Sequence, residues 1–281
     1  RLDLCRMYCW DFGLSCVETI SIVGTCIERT KIGIDMSYKI RVKNKEISSL
    51  KDWENAFNGG KLWKKGRSAY SLADFMLNRN GIKTITEILD RCGFCGIQFL
   101  SCDVEASVKF DEYSRTSQRD MILIGELENR EKVFITVEAK VDESFGGTIG
   151  CSKTDQKSNR VEGLINKFIP HFKESDKKLR YQLLHATAAT IEKGSYGKAF
   201  QKSIMLTLVF KTKGYGKDVD YDRNKGDRNF EDFCDFMQAI GANREGQSNV
   251  WNLNFKGQEI TFIYADIEFQ NLYAENQLSD M

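Results

Sequence analysis

The alternation of apolar and polar positions sets out the elements of this chain. Residues 50–58, 67–79 and 83–91 read as helices. Leu72, Phe75 and Met76 share one face of the second, and Ile85, Ile88 and Leu89 stripe the third. Ser68 stands where it can cap the second helix, and Asn78-Arg79-Asn80-Gly81 stops it. Ser37 to Val42 alternates like a first strand, and residues 97–109 read as another. Met121–Ile124 and Val133–Val137 are nearly continuous apolar runs, the pattern of central strands buried on both faces. The polar stretch Glu126–Lys132, with Asn129 inside it, predicts a hairpin turn between them. Helices follow at 158–169 and 178–193, separated by Pro170. A buried strand is expected at 203–211 and a flexible charged loop at Gly214–Asn229. A helix at 230–240 and strands at 249–255 and 258–267 complete the chain. Helices, three strands, helices and a strand, with additions at both ends, predict an α/β fold: a mixed sheet flanked by helices.

Composition narrows the class. The 281 residues suffice for one large domain, and no repeat or composition shift after residue 36 divides it. Residues 1–35 differ: four of the nine cysteines (Cys5, Cys9, Cys16 and Cys26) fall there, among isolated charges. Asp11 and Glu18 interrupt the apolar stretch that a signal peptide needs. Two readings stand, an extension ahead of a 36–281 domain starting naturally at Met36, which is favoured, or an N-terminal element packed on the domain. The longest clear apolar run, Ile204–Phe210, is far too short for a bilayer, so no membrane partner is expected. An odd cysteine count without repeated spacing predicts free thiols in a reduced cytoplasm. Cys92-Gly-Phe-Cys95 lacks the two further ligands of a structural zinc site. A net charge of +1 excludes binding to nucleic acid by bulk charge but leaves room for a local basic groove.

One constellation carries chemistry. Folding the two apolar runs into a hairpin about Asn129 places Asp120 opposite Glu138. Glu138 and Lys140 are two apart on one strand and share a face. Charges where apolar strands end are costly unless they are paired or bind a metal. Two close carboxylates suit Mg²⁺, and a lysine beside them suits phosphate hydrolysis. A salt-bridged strand end, with Lys140 neutralising Glu138, accounts for the same residues. Lys64, Lys65 and Arg67 form a basic run beside Trp63 that can grip a nucleic-acid backbone. A solvated loop beside a core tryptophan is the other reading. A second basic stretch, Lys211 to Arg228, is largely cancelled by interspersed aspartates.

The arrangement Asp120…Glu138-x-Lys140 on this element order resembles the PD-(D/E)xK nuclease superfamily, with its restriction-endonuclease-like fold. Three segments are similar to an uncharacterised bacterial family named for restriction endonucleases: Trp63–Ala69, Ser117–Asp120 leading to Val137–Gly146, and Leu179–Ala188. The match spans most of 36–212. It departs from the superfamily in having Arg119 where a proline usually precedes the aspartate. The resemblance implies a core of helix, three strands, helix and strand. It implies a Mg²⁺-dependent endonuclease, with Mn²⁺ as a substitute, cutting DNA in defence against foreign DNA and working as a homodimer. The alternative is a nuclease-fold protein that binds nucleic acid or acts as a scaffold without cutting. Asp120 and Glu138 would hold the metal and Lys140 would be the catalytic lysine. Accessory roles fall to Glu87 as an upstream acidic ligand, Asp142 and Glu143 past the strand, and Arg180, Gln182 and His185 toward the phosphate. For Glu87 a solvated helix position, for Asp142 and Glu143 a solvated turn, and for His185 a packed helix surface are the other readings.

Overall fold

The structure is a computed structural model. It describes residues 38–57, 60, 63–113, 116–151, 155–194, 199–217 and 219–271, the backbone alone at 155–158. Residues 1–35 lie outside it, and so does the question of an N-terminal extension. The strands are β1 (Ile40–Val42), β2 (Lys45–Glu46), β3 (Gln98–Val108), β4 (Ser117–Glu126), β5 (Lys132–Lys140), β6 (Lys202–Lys213), β7 (Asn243–Arg244), β8 (Val250–Phe255) and β9 (Gln258–Gln270). They form one mixed sheet in the order β2-β1-β3-β4-β5-β6-β9-β8-β7. The helices are α1 (Leu50–Phe57), α2 (Ser68–Asn78), α3 (Gly81–Arg91), α4 (Asp155–Phe168), α5 (Tyr181–Gly194) and α6 (Arg223–Ala239).

Side-chain alternation on the central strands divides the core in two. Ile204, Leu206, Leu208 and Phe210 of β6 join the cluster formed with α1, α2 and α3. Met205 and Val209, one step out of phase, join the cluster formed with α4, α5 and α6. Three layers result, with β5 and β6 buried on both faces. The other predicted central strand differs. Every second residue of β4 from Asp120 on, Ile122 and Ile124 included, is only partly buried and Gln118 is exposed, so one of its faces is incompletely covered.

β4 and β5 form the expected hairpin. Leu127 and Glu131 close the turn, and the Asn129 side chain accepts from the Glu131 N–H at 3.1 Å. The register pairs Met121 with Val137, which carries Asp120 to the level of Glu138. β5 then runs parallel to β6, and α4 and α5 make the crossover between them.

Three sequence expectations are corrected. The charged stretch after Gly214 is helical from Arg223. Asp222 is the N-cap and accepts from the Asn224 and Lys225 N–H groups, while Phe233, Phe236 and Met237 bury one face. The charges in its first turns masked that face. Residues 174–178 form a separate 3-10 turn, so α5 begins at Tyr181 rather than 178. Ser68 opens α2 instead of capping it, because Arg67 holds the cap position and the Ser68 N–H is met by the distant Glu143 carboxylate at 3.2 Å. Among the described residues no helix is long and apolar enough to cross a membrane.

The seat of α5 on β5 depends on a buried pair of hydroxyls. Thr136 and Thr190 Oγ1 are 2.5 Å apart, and Thr190 Oγ1 also donates to the Ala186 carbonyl. Thr190→Val leaves the Thr136 hydroxyl buried without a partner and is expected to cost about 1–3 kcal/mol. Adding Thr136→Val should recover part of that loss. Urea unfolding of both single variants and the double variant measures it, and a purely additive double would contradict the pairing.

Candidate active site

The sheet splits at one end. The β4–β5 ladder stops at Met121–Val137, although β4 begins at Ser117 and β5 continues to Lys140. Beyond that point β4 stays with β3, through Ala106–Arg119 and Val108–Ser117. β5 stays with β6, through Glu138–Thr207 and Lys140–Val209. The Ala139 N–H would be orphaned by the parting, and Asp120 Oδ2 accepts from it at 2.7 Å. Asp120 is thus fixed in the fork by the backbone of the strand that carries the other two residues.

Glu138 and Lys140 follow Thr136 in alternation and lie on the α5 face of β5. Lys140 Nζ is 2.9 Å from Glu138 Oε1, which Gln182 of α5 also meets through its Nε2. Arg119 Nη1 lies 3.2 Å from Glu138 Oε2, and both of those side chains are only 3% exposed. Arg119 Nε is buried without a partner. The sequence-predicted trio therefore converges, with Gln182 added from the following helix.

The cluster holds a further carboxylate that the sequence reading missed. Val104–Met121 and Ala106–Arg119 pairings put Glu105 of β3 opposite Asp120. Its backbone is left-handed, with φ +50°, which is unusual for a residue other than glycine and marks a constrained position. Its Oε1 accepts from the indole N–H of buried Trp53 at 3.4 Å. β3 also carries Asp103 and several polar residues, so Glu105 did not stand out in the sequence.

The charges are tightly linked. Burial, then repulsion from Glu138, push the Asp120 carboxyl up to about 7, against the pull of Lys140, the Ala139 N–H and Arg119. Burial, then Asp120, push Glu105 up to about 8. Burial alone would lower Lys140, but Glu138 and Asp120 outweigh it and raise it, so its ammonium persists at neutral pH. Near neutrality Glu105 is therefore mostly protonated and Asp120 about half so, and the negative charge of the cluster grows only as pH rises through these values.

The other predicted residues divide. His185 lies beside the cluster with Nδ1 3.0 Å from Ser117 Oγ, and burial, then Arg119 and Arg160, push it down to about 3. It is a neutral, packed imidazole. Asp142 is buried and pairs with Arg67 at 2.7 Å, and Glu143 accepts from Ser68 and Val141 N–H groups. Both clamp the structure rather than reaching the fork, and Arg67 is engaged by that clamp. Arg180 reaches Asp232 at 2.7 Å and the Gly146 carbonyl, holding α6. Glu87 is exposed on α3, with Lys83 at 4.0 Å as its ion-pair partner, a solvated helix position. Lys64 and Lys65 are exposed, whereas Trp63 packs between Phe57 and Tyr70. A cavity of about 500 Å³, lined by Arg79, Ile88, Ile263 and Phe269 among others, shares no residue with the fork.

Donor chemistry and present geometry point different ways for a metal. Asp120, Glu138 and Glu105 offer hard oxygen ligands, which suit Mg²⁺ or Mn²⁺. As they stand, among the described residues, no group of three or more His, Cys, Asp or Glu side chains is disposed to hold an ion. Both Glu138 oxygens are already taken, one of them by Arg119.

This is a three-layer α/β protein with a partly buried acid–lysine cluster where its central sheet splits. Residues 46–268 match the model of a domain of unknown function, DUF6946, and the chain belongs to that family. No curated protein and no solved structure matches it.

The raised carboxyls make stability depend on pH. Between about pH 4, where such groups titrate in the unfolded chain, and pH 8 the folded chain binds more protons. The contribution is full below about pH 4, falls across this window and is gone once pH has risen through the folded values. The midpoint of thermal unfolding in EDTA should fall by roughly 2–8 °C from pH 5 to pH 9. Glu105→Gln should flatten the upper part of that fall, and an unchanged slope in this variant would contradict the assignment.

Proposed function

We propose that the protein is a metal-dependent endonuclease of restriction-like type that hydrolyses DNA phosphodiester bonds. The observation that carries the reading is the convergence of Asp120, Glu138 and Lys140 at the parting of β4 and β5. The element order supports it: β3, β4, β5 and β6 are neighbours in the sheet, preceded by helices and with α4–α5 before the last strand. That order is what the resemblance to the PD-(D/E)xK superfamily implies.

Asp120 and Glu138 would hold Mg²⁺, and bound there the ion supplies a Lewis acid for the phosphate and a more acidic water. The chain's own groups do the rest. The Ala139 N–H fixes Asp120, and Gln182 and Lys140 fix Glu138. The Lys140 ammonium, kept charged by its carboxylate neighbours, donates to water or phosphate oxygen and offsets the charge that builds at phosphorus. Exposed Lys64 and Lys65 give the backbone a nearby positive surface.

One observation favours a second reading, a nuclease-fold protein that binds without cutting: Arg119 already neutralises Glu138. Plasmid DNA incubated with Mg²⁺, Mn²⁺ or EDTA separates the two. Nicked and linear products are expected with either ion and none in EDTA. Lys140→Ala should lower the rate by about 10²–10³-fold while leaving the protein folded. Full activity in Lys140→Ala or Asp120→Ala would sink the mechanism, and DNA binding without product under any divalent ion would establish the second reading.

A further inference from the structure

Arg119 is the cation of the cluster to which the acid–lysine chemistry gives no part. It is almost wholly buried at the end of an apolar strand, its Nη1 holds Glu138 Oε2 at 3.2 Å, and its Nε has no partner. Glu138 does not need Arg119 to be neutral, because Lys140 already pairs with its other oxygen at 2.9 Å. The guanidinium therefore occupies one of the two oxygens through which Glu138 could hold a divalent ion, while Lys140 and Gln182 occupy the other.

We propose that Arg119 is a resident counter-ion of the site: a divalent cation gains Glu138 only by displacing this guanidinium. The inference rests on the nuclease reading for the identity of the metal ligands. Displacement frees a buried cation whose nearest remaining use is an anion, which suits a phosphodiester arriving with the metal. Metal affinity of the free protein is then low by construction, and the two cations compete through one oxygen.

Mn²⁺ binding to the full chain, measured by titration calorimetry without DNA, tests this. Arg119→Gln removes the competing charge and should bind Mn²⁺ about 5- to 150-fold more tightly than wild type, the usual range of coupling between two ligands of one site. Arg119→Lys, which keeps a cation, should tighten it far less. Gln182→Ala removes a neutral contact to the same carboxylate and should not tighten it. Circular dichroism confirms folding, and Arg119→Met, which keeps the apolar stem, replaces Arg119→Gln if that variant unfolds. Equal Mn²⁺ affinity in wild type and Arg119→Gln, or equal tightening by Arg119→Lys, overturns the counter-ion role and leaves the nuclease reading standing. Millimolar Mn²⁺ binding to neither protein overturns the metal ligands themselves, and the inference with them.

Discussion

A carboxylate among packed strands has to be balanced by its neighbours, and the fold around the fork is organised to balance Glu138. Arg119 comes from β4, Lys140 from the same strand and Gln182 from the helix after the crossover. Removing one partner of such a buried pair typically costs about 3–5 kcal/mol, because a charge is left uncompensated. Replacing the whole set by apolar residues would cost far less and could even stabilise. Retention of five ionisable groups here, Glu105 included, sets stability against some other requirement.

The apolar pattern carried most of the architecture. The hairpin about Asn129, its register and the shared face of Glu138 and Lys140 follow from periodicity two and one turn residue. The errors have a common source. The first turns of α6 and the turn at 174–178 are local structures made by capping and charge, where apolar spacing is silent. β4 misled in the other direction, since four apolar residues in a row say nothing about whether a helix covers both faces.

The site was legible as far as one hairpin could show it. Asp120, Glu138 and Lys140 belong to two neighbouring strands, so their meeting is a matter of register. Glu105 depends on the pairing of β3 with β4 and on a left-handed backbone, neither of which apolar spacing reveals. Arg119 was visible only as a departure from a motif. Its meaning required the distance to Glu138. Asp142, Glu143 and Arg180 were drawn toward the chemistry by sequence proximity, whereas in space they bind helices.

Those helices lie on opposite faces of the sheet. Asp142 accepts from Arg67 ahead of α2 and from the Asp222 N–H ahead of α6. Glu143 caps α2 with its side chain, and its carbonyl accepts from Asn229 of α6. Two residues past Lys140, the end of β5 is therefore a rivet through all three layers. Any shift of the end of β5 is passed to the first turns of α2 and α6 together. The exposed Lys64 and Lys65 stand just ahead of Arg67 and α2, so this basic surface segment and the end of β5 form one mechanical unit.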